Sequence, residues 1–214
     1  MPVDRGSGRR TLALGVVLVL LAAPSASARQ SPNRRVSVDS RERQGNGNSL
    51  GPVLSGDGRF VAFRSNASNL VPNDRNRAQD VFVRDRRTGR TTRVSVAEDG
   101  SEGNGRSGGA AISADGRVVA FWSEASNLAA DDTNDRRDMF VRNRAAGTTA
   151  LVSISSAGAH ANGPSRAPAL SANGRFVAFR SDASNLVSDD TNGTGDIFVH
   201  DLLSNENDAG QHPL

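Results

Sequence analysis

Most of this 214-residue chain consists of three copies of one segment, which follow one another at a spacing of 58 residues without insertions. The most regular block reads Ser-x-x-Gly-Arg-x-Val-Ala-Phe and occupies 55–63, 113–121 and 171–179. Of the 31 positions in 55–85, 20 are identical in 171–201, which chance and shared composition do not supply. A tandem duplication restricts the fold to a repeat architecture, in which copies of one supersecondary unit stack on each other.

Each copy is predicted to contain four short β-strands. In the first copy these are the segment 36–38 (Val-Ser-Val), a stretch that ends near Leu54, and the runs 59–65 and 80–85. The runs are rich in Val and Phe and are bounded by Asp-Gly, Asn-Gly or Thr-Gly pairs, which favour tight turns. One antiparallel sheet of four strands cannot bury both faces alone. We therefore expect neighbouring copies to stack, and radial stacking of such sheets forms a β-propeller.

The first copy resembles a known repeat. Its pattern Ser-x-Asp-Gly-Arg-Phe-Val-Ala-Phe, followed by Asp-Val-Phe-Val-Arg-Asp at 80–85 and by Thr88-Gly89, is similar to the TolB-type, WD40-like β-propeller repeat. The resemblance covers 35–201 and implies an all-β fold, a β-propeller-type array of three four-stranded antiparallel blades. Within the repeat region 29–201, the blades are expected at about 35–92, 93–150 and 151–201.

Two features depart from that family. Its usual Ser-Pro-Asp-Gly turn carries Pro, where the three copies here have Gly56, Ala114 and Ala172. Each copy is also longer than a WD40 blade, which has about 40–45 residues, because a long linker separates two of the strands. Proteins that contain such propellers scaffold envelope complexes, gate peptidases or serve as lectin-like modules. The resemblance therefore implies a fold and leaves the partner open.

Three copies fall short of a closed ring, since propellers typically have about 4–8 blades. Three arrangements are open: a fragment or open array, a six-bladed ring that two chains complete as a homodimer, or another closed form. An uncapped end exposes strand edges and apolar faces. Residues 202–214 are predicted to be a polar C-terminal tail in place of a further copy.

The first 28 residues are predicted to be an export signal. A basic start precedes an apolar run at 12–23, and the Ala-Ser-Ala sequence at 26–28 offers small residues for cleavage after Ala28. The run is shorter than the about 20 residues that a membrane-spanning helix needs. We expect a signal peptide at 1–28, a secreted or periplasmic mature protein, and no stable membrane span after cleavage.

The charge balance argues against nucleic acid as a partner. The pI near 10.9 arises because all 26 basic residues are Arg, so nothing titrates between His and Arg. The formal net charge is only +3, and removal of the leader lowers it further. A nearly neutral protein has no electrostatic reason to bind DNA or RNA. The absence of Cys excludes disulfides, thiolate metal sites and a cysteine nucleophile.

The loop before the last predicted strand of each copy is the candidate site for chemistry. Its oxygen-bearing side chains stand at relative positions 1, 3 and 7, a pattern that suits a hard cation such as calcium. An EF-hand is rejected, because Arg137 and Asn143 stand where the second loop would need its Gly and its last acid. The alternative is structural, with the aspartates making Asx-turns and bonds to backbone amides. The candidate ligands are Asp74, Asn76, Asp80, Asp132, Asn134, Asp138, Asp190, Asn192 and Asp196.

The function that these observations favour is that of an exported, non-catalytic propeller module, which binds a protein or envelope partner through its loops. The alternative is an exported enzyme or lectin-like module that acts on glycans or peptides at a propeller channel. Its site would use residues that break the repeat, such as Trp122, Glu124 and His200. No catalytic residue is assigned from the sequence, and calcium is the only cofactor considered.

Overall fold

The computed structural model describes Met1 and residues 33–130 and 132–203 of the chain. Residues 2–28 of the predicted signal peptide and the tail beyond residue 203 lie outside these residues. The described chain from Arg35 onward belongs to one compact unit. In this part no helix is long and apolar enough to span a membrane.

The regular structure of the described residues consists of eleven strands in three antiparallel sheets. The first sheet has the order β1-β2-β3-β4, the second β5-β6-β7-β8, and the third β9-β10-β11. The strands are β1 Ser49–Leu54, β2 Phe60–Ser65, β3 Asp80–Asp85, β4 Arg90–Arg93, β5 Ser107–Ile112, β6 Val118–Ser123, β7 Asp138–Asn143, β8 Thr148–Leu151, β9 Ser165–Leu170, β10 Phe176–Ser181 and β11 Asp196–Asp201.

The array of antiparallel blades that the repeat implied is confirmed. Two blades have four strands, and the third shows three strands within the described residues. The repeat counterpart of β4 and β8 would fall at 206–209, which lies outside them. The long linkers of the repeat are the connections from β2 to β3, from β6 to β7 and from β10 to β11.

The prediction that the Val-Ser-Val segments are strands of the sheets is wrong. The fourth strand of the first blade is Arg90–Arg93, which directly precedes the second of these segments. Ser95 explains why the ladder ends there, because its Oγ, and not a backbone carbonyl, accepts the hydrogen bond from Val81 N–H (3.1 Å). The three segments contribute only isolated bridges, at Val38–Gln44, Val96–Glu102 and Ile154–His160.

The turn between the first two strands of each blade follows from its sequence. Gly58 adopts a positive φ of 67°, a conformation in which a side chain would be strained. Asp57 Oδ1 accepts hydrogen bonds from Arg59 N–H (2.9 Å) and Ser55 Oγ (2.7 Å), so it closes the turn. Arg59 pairs with Asp85 of the same blade (2.6 Å). The repeated Ser, Gly and Arg, with Asp or (in the third blade) Asn173 between them, therefore build the turn.

The blades stack face to face through apolar side chains, because successive residues of each strand point to opposite faces. The junction between the first and second blades buries Ala62, Val81 and Val83 against Ile112, Val119, Phe121 and Phe140. The junction between the second and third blades buries Ala120, Met139 and Val141 against Val177 and Phe179. Each large side chain buried in this way contributes about 1.5–3 kcal/mol.

Backbone hydrogen bonds also cross each junction, at the same two repeat positions. Gly56 N–H donates to the carbonyl oxygen of Ala114, and Ala114 N–H donates to that of Ala172 (both 2.9 Å). The second pair of bonds runs from Ser107 N–H to Gln79 O and from Ser165 N–H to Arg137 O (both 2.7 Å). The two junctions therefore repeat one interface.

Candidate functional site

A polar clip that recurs in every copy fixes the loops at one end of the array. In the second copy, Asn104 N–H donates to Asn127 Oδ1 (2.8 Å) and Asn104 Nδ2 donates to Ser126 Oγ (3.0 Å). Asn127 Nδ2 reaches back to the Glu102 carbonyl oxygen (2.9 Å). The same bonds form around Asn46 and Asn162. The Asn-Gly and Ala-Ser-Asn-Leu segments therefore recur because they bind each other.

In the first blade, the predicted cation ligands surround an arginine. Arg93 Nη1 lies 3.3 Å from Asp74 Oδ1, 3.1 Å from Asp80 Oδ2 and 2.9 Å from Glu102 Oε2. Asp80 also accepts a hydrogen bond from Ser95 Oγ (2.6 Å). A guanidinium therefore already neutralises part of the negative charge in this loop.

Burial raises the pKa of Asp74 to about 6, and the nearby carboxylates of Asp80 and Glu102 add to this effect while Arg93 opposes it. A carboxyl group with a raised pKa in the folded state stabilises the fold below its unfolded pKa, near 3.8. That stability is lost as the pH rises through about 6. We expect Asp74→Asn to gain about 1–2 kcal/mol in unfolding free energy relative to wild type between about pH 4 and pH 7. Urea unfolding across this range measures the gain.

Asp85 is the matched control, because the pKa of its carboxyl group is shifted in the opposite direction. Its hydrogen bonds with Arg59 lower the pKa of its carboxyl group, so its stabilising effect is present above the unfolded pKa and is lost as the pH falls. Asp85→Asn should therefore be least stable, relative to wild type, near neutral pH. A difference between Asp74→Asn and wild type that stays constant from about pH 4 to pH 7 would show that Asp74 does not titrate in this way.

The second blade has no arginine at the corresponding place, because Leu151 replaces Arg93. Burial raises the pKa of Asp138, and burial together with the charge of Asp138 raises the pKa of Asp132. Asp138 Oδ1 accepts a hydrogen bond from Ser153 Oγ (2.6 Å), whereas its Oδ2 is buried without a hydrogen-bond partner. His160 stands here at the position of Glu102 in the first loop, and its charge lowers the pKa of both aspartates, opposing the effect of burial.

The asparagines, and not the aspartates, make the predicted Asx-turns. Asn76, Asn134 and Asn192 each accept a hydrogen bond at Oδ1 from the N–H two residues further on (2.8–2.9 Å). In the third loop, Asn192 Nδ2 also donates to Asp196 Oδ2 (2.9 Å). Among the described residues no group of three or more His, Asp or Glu side chains is arranged to hold a metal ion. Calcium binding by these loops stays a prediction.

A polar concavity of about 580 Å³ lies beside the clip, between loops of the second and third blades. Its charged lining is balanced in sign, with three acids and three arginines. Of the three acids, only Asp132 has an acidic residue at the same position of both other copies. The charged residues are Glu124, Asp132, Asp135, Arg136, Arg137 and Arg166.

Arg137 organises one wall of this concavity. Its Nη2 lies 2.7 Å from Glu124 Oε1, and its Cζ lies 4.5 Å from the ring centroid of Trp122. The sequence did not mark Arg137 as a functional residue. The available signal was that a charge stands where the other copies have Gln79 and Gly195.

The three residues that the sequence offered for an enzyme site do not lie together at one place. Trp122 and Glu124 both contact Arg137, whereas His200 lines a different concavity together with Val118 and Val141. Burial lowers the pKa of His200. Among the described residues, the concavity that contains Glu124 has no histidine to act with it as an acid or base.

The stacked antiparallel sheets make this chain a β-propeller-type repeat protein. No protein-family model and no curated protein matches it. The chain is similar in structure to TolB from Acinetobacter baumannii, with 14% identity and a TM-score of 0.45 over 73% of this chain and 30% of that one. A putative TolB from Agrobacterium tumefaciens gives 19% identity and a TM-score of 0.41 over 65% of this chain and 41% of that one.

The β-propeller domain of the Trilobed protease from Pyrococcus furiosus, described as having an open velcro topology, is also similar. Its identity is 11% and its TM-score 0.39, over 72% of this chain and 42% of that one. The chain thus spans less than half the length of each of these three neighbours. TolB structures are among the neighbours, in line with the repeat resemblance. At these TM-scores the neighbours carry no argument about activity, and the assignment to blades depends on the sheets themselves.

Proposed function

We propose that this chain is an exported propeller module without catalytic activity, which binds a polar segment of a protein or envelope partner at the concavity between the second and third blades. The observation that carries the proposal is the placement of the repeat-breaking charges. Asp135, Arg136, Arg137 and Arg166 have no charged counterpart of the same sign in the other copies, and all four line this concavity. Residues that recur build the blades, whereas these charges occur once. Two of them have partners within the chain, because Arg137 pairs with Glu124 (2.7 Å) and Arg166 with Asp182 (3.0 Å).

The chemistry of the lining favours binding over catalysis. Glu124 is engaged by Arg137 at 2.7 Å, so it is not a free general base. The same arginine lies over one face of the Trp122 ring at 4.5 Å, so that face is not open to a stacking sugar.

The balanced lining also indicates what kind of partner fits. Three arginines and three acids favour a segment that carries both signs of charge and many hydrogen-bonding groups. The clip holds the loops in place through side-chain hydrogen bonds, so little ordering of the loops is needed on binding. Export is supported by the leader predicted at 1–28 and is compatible with the absence of Cys.

Charge reversal tests this function. The double variant Arg136→Glu, Arg166→Glu is compared with wild type for capture of envelope components, and each captured component is then purified and titrated. We expect the double variant to bind the specific partner at least about tenfold more weakly, because two attractive contacts become repulsive. Arg87→Glu, which changes an exposed arginine outside the concavity, should bind like wild type.

Two results would contradict the proposal. Equal affinity of wild type and the double variant for every captured component would show that the concavity is not the binding surface. Recovery of the protein in the cytoplasm with residues 1–28 still attached would contradict export, which N-terminal sequencing detects directly.

A further inference from the structure

The outward face of the third blade is apolar and exposed. Ile197 is 71% exposed and Val199 is 67% exposed. Their repeat counterparts in the second blade, Met139 and Val141, are 0% and 5% exposed, because the third blade covers them. In the first blade the corresponding Val81 is fully buried. The third blade therefore presents a surface that the other two blades bury in a junction.

The first blade presents part of the matching surface. Val61, Phe63 and Phe82, the counterparts of Val119, Phe121 and Phe140 in the inner junction, are already 0–4% exposed, whereas β1 is open. Leu54 of β1 is 58% exposed, whereas its counterpart Ile112 is 8% exposed. Ile112 is buried in the cluster that contains Val81 and Val83 of the preceding blade. By repeat position, Leu54 would pack on the counterparts of these valines, which are Ile197 and Val199.

The inner junction also holds an aromatic side chain of one blade against a glycine of the next. In the inner junction, the Phe60 ring lies so close to Gly116 that a Cβ there would be 2.1 Å from Phe60 Cδ2. The guanidinium of Arg144 lies 4.7 Å from the centroid of the same ring. Arg144 is held by its bond from Nη1 to the Gly116 carbonyl oxygen (2.5 Å).

Counterparts of this phenylalanine, glycine and arginine lie at the two ends of the array. Phe176 corresponds to Phe60 and is 40% exposed. Gly58 corresponds to Gly116, and Arg86 donates to the Gly58 carbonyl oxygen (2.6 Å) just as Arg144 does in the second blade. The site of a Cβ on Gly58 has only Arg86 Nη1 near it, at 3.7 Å. Space for an incoming phenylalanine ring is therefore present beside Gly58.

The backbone hydrogen bonds of the inner junctions extend to the same two ends. Continuing the series from Gly56 through Ala114, the Ala172 N–H of one copy would donate to the Gly56 carbonyl oxygen of another. The second series would continue from Ser49 N–H to the Gly195 carbonyl oxygen. Both ends thus offer the apolar, aromatic and backbone elements of one junction.

We propose that the third blade of one copy docks on the first blade of a second copy, head to tail, and that two such junctions close a dimer of six blades. The occupant is a second copy because the new junction continues the interface that already joins the blades within the chain. A closed ring of this kind also leaves no uncovered blade face.

Solution mass measured by light scattering on the full chain tests this proposal. Wild type should have the mass of a dimer. Ile197→Glu should raise the dimer dissociation constant by at least about tenfold, because it buries a charge in an apolar junction. Ala157→Glu, which adds the same charge at an exposed turn, should remain dimeric. Circular dichroism melting of each variant checks that the blades stay folded.

A second variant, alone and mixed with the first, tests whether the two copies pair head to tail. Leu54→Glu alters the other end of the array, so it should dissociate the dimer as Ile197→Glu does. A mixture of the two variants should form a mixed dimer through the one intact junction, which mass spectrometry resolves. A wild-type monomer, a mass other than that of a dimer, or a dimer that only Ile197→Glu disrupts would overturn the proposal.

Discussion

Replacing Gly105 by alanine is expected to destabilise the protein by about 3 kcal/mol or more, enough to unfold much of a domain of ordinary stability. A Cβ at this position would lie 2.5 Å from the Glu124 carbonyl oxygen and 2.7 Å from Ala125 N. Both are backbone atoms, so no side-chain rotation relieves the overlap. Urea unfolding with circular dichroism detection measures the loss.

The same close approach occurs at Gly47 and Gly163, where a Cβ would lie 2.6 Å from backbone carbon atoms. Gly100→Ala is the control, since a Cβ there meets nothing within 4 Å and only the positive φ of 83° opposes it. This control should cost about 1–2 kcal/mol. If Gly105→Ala proves no more destabilising than Gly100→Ala, the clip does not bring the two loops into the contact described.

The second large effect is expected from Phe140→Ala, which should cost about 3–5 kcal/mol. Phe140 is fully buried in the junction between the first two blades, and its ring stacks on Phe121 with centroids 6.0 Å apart. Truncation removes the buried ring and leaves a cavity among side chains of two different blades. Thermal and urea unfolding of wild type and variant measure the cost.

Phe198 occupies the same repeat position in the third blade and is only half-buried. Phe198→Ala should therefore cost clearly less than Phe140→Ala, by about 1–2 kcal/mol or more. Because the substitution is the same, the difference reports only the surroundings of the two rings. Equal costs would mean that the second and third blades are equally enclosed, contrary to this structure.

The central strands of each blade were predictable because their sequences are regular. β2 and β3 are apolar runs bounded by turn signals, and the period of 58 residues confirms each of them three times. β4 was missed because its sequence, Arg-Thr-Thr-Arg, has no apolar run. Val-Ser-Val looks more like a strand than Arg-Thr-Thr-Arg does, but the Ser95 hydroxyl replaces a ladder acceptor.

The candidate site was less accessible from the sequence, because its contacts join residues of different loops and strands. Arg93 of the first blade gathers Asp74 and Glu102, and no local spacing predicts an arginine at the centre of these carboxylates. Arg137 likewise meets Trp122 and Glu124 across a strand pair. The pair of Arg59 and Asp85 recurs as Arg175 and Asp201 in the third blade, whereas Asn143 replaces the acid in the second.

The stacking of the sheets into one array is the basis of both proposals, and amide hydrogen exchange tests it most directly. Ser107 N–H and Ser165 N–H donate to carbonyl oxygens of the preceding blade, at 2.7 Å. If the blades stack as described, these two amides exchange about as slowly as amides in the central strand β6. Exchange of both at the rate of an unprotected amide would contradict the stacked array.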